Sequence, residues 1–273
     1  MEREAHLRAA GPRLTARLLG RMEIGYDGRD VRLAGRQAQA LLALLILRAR
    51  ARAREAIAAD LWPEADGGSA ASLRQALWLV RSAFIGAGVE PGQVLENDAE
   101  VLGLQPGLSV DLDAVRFEDC LRDHPPRAEE AVSLYRGDLA EGLAHECFAA
   151  ERERLADAYE DALALVAETR LMGGDLGGAH EAACRLLVRD PLREEAHAVL
   201  IEVYGREGTR SQVIRQWRRL RAILRHELDV DPLPETEAIY RRAVARTFER
   251  SALRVASTAF SGAGGEPAFV GRD

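Results

Sequence analysis

A period of 34 residues runs through the second half of the chain, and no other feature restricts the fold as tightly. Residues 165–167 precede Gly174 as residues 199–201 precede Gly208, and Ala179 answers Val213 as Leu186 answers Leu220. A repeat of this length marks stacked helix pairs, because one unit alone cannot bury its apolar stripe. Gly173, Gly174 and Gly208 fall at the turns within pairs, and Asp190-Pro191 and Asp231-Pro232 close the two units. The period is that of tetratricopeptide arrays, whose concave faces hold extended or helical segments.

The rest of the chain is long enough for another domain. It has 273 residues, 47% apolar and 30% charged, which suits packed cores rather than disorder. All 37 basic residues are arginine, a bias that reflects a GC-rich coding sequence. No apolar run could cross a bilayer and no signal pattern opens the chain, so the expectation is a cytoplasmic protein. Cys120, Cys147 and Cys184 are too scattered for a disulfide framework or a metal site and read as buried thiols. Charge is uneven: residues 1–110 hold 14 arginines against 13 carboxylates, and residues 111–273 hold 23 against 31. The front is thus near neutral and the back acidic. An acidic back suits protein partners, and a neutral front is less basic than a DNA reader would be.

In the front, residues 55–84 look like two short helices joined by a tight, acidic, glycine-bearing turn. At 100° per residue, Leu73, Ala76, Leu77, Val80 and Phe84 share one side of the second helix. Ala71, Gln75, Trp78 and Ser82 share the other, with Arg74 and Arg81 on one flank. An ordinary surface helix would show this pattern, and so would a helix-turn-helix with its second helix in a major groove. The neighbours bear on the choice. Residues 17–25 (RLLGRMEIG) read as a strand, Asp27-Gly28 as a hairpin turn, and Val31 with Leu33 as a short return strand. Residues 1–17 read as polar and frayed, and residues 36–47 as a buried helix. Arg48, Arg50, Arg52 and Arg54 then alternate, either as a solvated connector or as a phosphate-contacting edge. Pro63 ends the first helix of the pair, and Gly86 and Gly88 stop the second. Val94-Leu95 and residues 101–104 flank the polar turn ENDAE, making a hairpin, or wing. The order of elements is that of winged helix-turn-helix domains.

The runs LLGRMEIGYDGRDVRLAGRQAQALLALL and ADLWPEADGGSAASLRQALWLVRSAF resemble the Streptomyces antibiotic regulatory protein family, most specifically at LWP (residues 61–63) and SLRQAL (residues 72–77). LLVRDPLREEAH, LRAILRHELDVDPLPE and IYRRAV resemble the activator domain of the same family, so the likeness spans about residues 17–247. It implies a winged helix followed by a bacterial transcriptional activator domain, acting as dimers or tandem copies on direct repeats near a promoter, in contact with RNA polymerase. This chain departs from the pattern twice. The end of its recognition helix keeps one arginine, Arg81, and its wing carries Glu96, Asp98 and Glu100, carboxylates that repel a phosphate backbone.

Between the modules, residues 105–110 (QPGLSV) read as a linker, and Asp111 or Asp113 starts a helix. Helices are expected at residues 127–134 and 148–172, then in the repeats. Residues 250–265 read as a linker, and residues 269–273 resemble the first residues of the P-loop ATPase module that follows this domain pair in larger family members. No nucleotide-binding, zinc-protease or serine-hydrolase motif is present, and His145, His180, His197 and His226 show no ligand spacing.

The sequence therefore predicts a mainly α protein with a small β component: a winged helix-turn-helix (residues 17–106), an all-α tetratricopeptide-like activator domain (residues 111–247), and a tail (residues 248–273) that leads into an ATPase module absent from this chain. The expected function is a non-enzymatic activator without cofactor or metal, bound to promoter DNA and RNA polymerase. Arg74, Gln75, Trp78, Arg81 and Ser82 would face bases or phosphates, Ser69 and Ser72 would donate to phosphate near the helix start, and Arg48, Arg50, Arg52 and Arg54 would add backbone contacts. The other reading is a signalling adaptor, with the helical array holding a protein partner and the winged helix docking on protein.

Overall fold

The structure, a computed structural model, describes residues 13–48, 50–63 and 68–261. It is mainly helical with a small β component and divides into two compact units, residues 1–162 and 163–273.

The first unit opens with β1 (Arg13–Arg17), which buries Leu14 and Ala16 and exposes the arginines at its ends. It pairs antiparallel with β2 (Glu23–Tyr26), and β2 pairs with β3 (Arg29–Asp30). Asp27 and Gly28 join β2 to β3 at φ values of 47° and 79°, the two left-handed residues that a tight hairpin turn needs. Helix α1 (Arg36–Arg48) follows and buries almost its whole length. Next come β4 (Arg52–Ala53), α2 (Arg54–Leu61) and α3 (Ser69–Gly86). The wing is β5 (Leu95–Asn97) and β6 (Val101–Leu104), and β4 pairs with β6 to make a second sheet in the order β4-β6-β5.

Several expectations need correction here. The chain is already ordered as β1 over residues 13–17, which read as frayed; residues 1–12 lie outside the described residues. The strand expected over residues 17–25 is interrupted. Leu18, Leu19 and Gly20 turn away to meet residues 138–140: Leu19 bridges Leu139, the Ala140 amide donates to the Leu18 carbonyl at 2.7 Å, and the Gly20 amide to the Asp138 carbonyl at 3.1 Å. The return strand is Arg29–Asp30, two residues early, and Val31 is buried just past it. The linker over residues 105–110 is a turn leading into β7 (Ser109–Leu112), which lies parallel to β1 and completes the sheet β3-β2-β1-β7.

Asp111 lies in β7 and pairs with Arg13 at 2.9 Å, so Asp113, not Asp111, opens α4 (Asp113–Arg122). The Asp113 carboxylate is buried and accepts the amides of Leu18 (2.8 Å), Leu19 (3.0 Å) and Ala114 (2.9 Å). Burial pushes its pKa up, and the three N–H groups oppose that shift. Helix α5 (Ala128–Leu134) ends at Tyr135, whose ring stacks on Tyr159 at 4.1 Å and whose hydroxyl donates to Asp138 at 2.8 Å.

Helix α6 (Ala149–Gly173) begins in the first unit and ends in the second. The second unit continues with α7 (Leu176–Arg189), α8 (Glu194–Glu207), α9 (Arg210–Glu227) and α10 (Pro234–Ser261). Gly174 and Gly208 take left-handed backbone at the turns, φ 83° and 80°, where the repeat places them. Ile201, Val213 and Ala243 form a buried cluster, beside which Trp217 stacks on Tyr240 at 4.6 Å. A Cβ on Gly205 would come within 2.7 Å of the Ala243 Cβ, so glycine lets α8 and α10 approach closely. The linker expected from residue 250 is helical as far as Ser261; residues 262–273, including the ATPase-like residues 269–273, lie outside the described residues. No helix among the described residues is long and apolar enough to cross a membrane. Cys120 is buried, whereas Cys147 and Cys184, expected to be buried, are only half so; all three are free thiols.

His197 is fully buried in α8. Its Nε2–H faces the Pro191 carbonyl at 3.1 Å, and the Gln216 amide donates to Nδ1 at 2.7 Å, an arrangement that fits the neutral ring. Burial holds its pKa below the ordinary value. The unfolded chain therefore takes up a proton near pH 6.5 that the folded site refuses, so this stabilisation is complete above that pH and declines below it. Chemical denaturation at pH 7 and pH 5.5 should show a loss of up to about 1.4 kcal/mol per pH unit, and the His197→Gln variant should lack that component.

Candidate nucleic-acid interface

Helix α3 is the centre of the candidate site. Leu73, Ala76, Leu77, Val80 and Phe84 are buried, the set that its periodicity predicts, and they pack toward α1 and α2. Each large apolar side chain among them contributes roughly 1.5–3 kcal/mol by leaving water. That burial fixes the rotation of the helix and hence what it presents outward. Arg74, Gln75 and Arg81 are exposed, and Trp78 stands 65% exposed among them. Ser69, Ser72 and Ser82 are half-buried. Ser69 is the first residue of the helix, and the Ser72 amide donates back to Gly68 at 3.0 Å. The acidic stretch of the turn before it, residues 64–67, lies outside the described residues. At the other end, Arg29 donates to the carbonyl of Gly88 at 2.8 Å. A guanidinium there complements the negative end of the helix dipole. Sequence reasoning missed this cap because its partners lie 59 residues apart.

The four alternating arginines do not act alike. Arg48 and Arg50 are exposed. Arg52 forms an ion pair with Asp60 of α2 at 2.6 Å. Arg54 donates to the Asn97 side chain at 2.5 Å and lies 3.4 Å from the Asp98 carbonyl. Arg52 thus ties β4 to α2, and Arg54 ties α2 to the wing. The carboxylates of the wing are engaged to different extents. Glu96 lies half-buried within β5, and Asp98 accepts the amides of Glu100 and Val101 at 2.8 and 2.7 Å. Those bonds, with Arg54 nearby, hold the Asp98 pKa below the usual carboxylate range. Glu100 stays exposed.

The second unit holds a groove of about 610 Å³ with Leu171, Ala198, Val199, Leu233 and Ile239 among its lining residues. On its wall Glu202 binds both Arg206 (2.8 Å) and Arg246 (2.9 Å). Among the described residues, no group of three His, Cys, Asp or Glu side chains is placed to hold a metal ion.

Comparison with known proteins adds to this geometry. Residues 113–243 match the family model of the bacterial transcriptional activator domain. Among solved structures, Mycobacterium tuberculosis EmbR, determined in complex with a low-affinity phosphopeptide, superposes with a TM-score of 0.67 at 23% identity, over 92% of this chain and 71% of that one. No curated protein matches the chain. A winged helix-turn-helix joined to a bacterial transcriptional activator domain defines a transcription regulator. Residues 113–243 carry the bacterial transcriptional activator domain, and the fold of the chain is similar to that of EmbR. The activator-domain match begins at Asp113, inside the first compact unit, so it spans parts of both units.

A Cβ on Gly103 would lie 2.6 Å from the Ala51 Cα and 2.9 Å from its amide nitrogen, so β6 can pass this backbone only as glycine. Gly103→Ala should force the wing away from β4 and lower stability by about 1–3 kcal/mol, read as a shift of the denaturant midpoint. Hydrogen exchange should quicken over Val101–Leu104.

Proposed function

We propose that this protein binds promoter DNA through the outward face of α3 and activates transcription by contact with RNA polymerase. The observation that carries the reading is that face: Arg74, Gln75, Trp78 and Arg81 exposed together on a helix whose opposite side is buried. Arginine and glutamine offer the paired donors that read base edges, and an apolar ring suits a thymine methyl. Ser69, Ser72 and Ser82 border the face and can donate to phosphate. Arg48 and Arg50 add backbone contacts. Arg52 acts within the fold by tying β4 to α2, and Arg54 by holding the wing to α2. In this reading residues 17–106 are the DNA-binding domain and residues 111–247 the activator domain, and copies bind side by side on direct repeats. The setting is the cytoplasm and the role regulatory rather than catalytic.

Two observations favour the adaptor reading instead. A tryptophan exposed this far is a typical anchor for protein contact, and the groove of the second unit would hold a partner segment. A salt titration of binding to random duplex DNA separates the two, since a DNA binder loses affinity steeply as salt rises and an adaptor binds hardly at all. Within the DNA reading, Gln75→Ala should relax base preference, while Arg50→Ala should weaken all sequences alike. A uniform loss in both variants would remove Gln75 from base reading.

A further inference from the structure

Helix α9 (Arg210–Glu227) carries six arginines and a single carboxylate, Glu227, in a chain of net charge −7. It buries Val213, Gln216, Leu220 and Leu224. The opposite side presents Ser211, Arg215, Arg218, Ala222 and Arg225 in line, flanked by Arg219 and Arg221, and all of them are exposed. Arg225 is held by Asp229 (3.2 Å) and Asp231 (3.0 Å), and Arg210 lies over the Phe248 ring at 4.2 Å. Arg215, Arg218, Arg219 and Arg221 have no ion pair among the described residues. On other helices, Arg122, Arg127, Arg154 and Arg241 pair with carboxylates about a turn away. Like charges gathered on successive turns disfavour a helix, so this face has a repulsion that a bound anion would relieve.

The chemistry of the face points to one kind of anion. No large apolar side chain is exposed between Ser211 and Glu227, so the face lacks the anchor on which protein interfaces depend. Ser211 and Ala222 are small and let a partner come close. Guanidinium groups bind phosphate oxygens in pairs and are weakly hydrated. We infer that this face of α9 is a second DNA contact, lying against the sugar–phosphate backbone without reading bases. The inference rests on the DNA-binding reading. It also supplies the positive charge that the front of the chain lacks, with 14 arginines against 13 carboxylates over residues 1–110.

The test measures binding of the full chain to random duplex DNA over a range of salt concentrations. For R215A/R218A/R221A, the slope of log K against log salt should become less negative by about 2–3, since each phosphate contact contributes about 0.9. Affinity should fall at least about tenfold, equally for every sequence. R215K/R218K/R221K should keep most of the slope, which also shows that the positions tolerate replacement. An unchanged slope in the alanine variant, with the wild type binding DNA, overturns the α9 contact and leaves the α3 reading standing. Loss of binding to poly-glutamate with DNA binding intact also overturns it, and makes the face a dock for acidic protein. A wild type that binds DNA without salt dependence, or not at all, removes both readings.

Discussion

The carboxylate of Asp113 holds the first unit together. It is placed where β7 becomes α4, and it receives the amides of Leu18 and Leu19 as the chain leaves β1. Those amides are buried, and without an acceptor each would carry a desolvation cost of about 1–3 kcal/mol. Because they are satisfied by a side chain, residues 18–20 are free to turn out of the sheet and pair with residues 138–140. The parallel strand β7, the turn at Gly20 and the Tyr135–Tyr159 stack are therefore parts of one assembly. The activator-domain match begins at the same aspartate. A cut between residues 106 and 111 would separate β1 from its parallel partner.

Helix α3 depends on a different kind of constraint. Its outward face is set by which residues are buried, so its presentation follows from hydrophobic packing against α1 and α2. The wing is held by polar and steric means: the Arg54–Asn97 bond and the passage of Gly103 over Ala51, beside β4, which the Arg52–Asp60 pair ties to α2. These contacts explain why alternating arginines occur between α1 and α2. Two of them reach solvent and two are spent within the fold.

Much of this was legible in the sequence wherever the signal is local. The buried stripe of α3 repeats at the helical period, the wing alternates around a polar turn, and the glycines of the repeat mark the turns they occupy. The elements that were not legible depend on partners far along the chain. RLTAR looks polar because only Leu14 and Ala16 face inward, and β7 looks like a linker because its partner strand lies 96 residues earlier. The helix through Ser261 was hidden by small residues, which suit a linker as well as a helix. In the candidate site, the exposed face could be read from periodicity. The intramolecular partners of Arg52 and Arg54, and the Arg29 cap, could not, because they arise only when separate elements meet.

The close passage of Gly103 over Ala51 has a bearing on how a duplex would be accommodated. A strand that touches backbone at this range has no slack, so the pitch of the wing is fixed relative to the start of α2. If the groove of a bound duplex did not match that pitch, the misfit would fall on the DNA, whose stiffness varies from one base step to the next. Preference would then extend to steps that no side chain touches, with flexible pyrimidine–purine steps favoured where the backbone must yield.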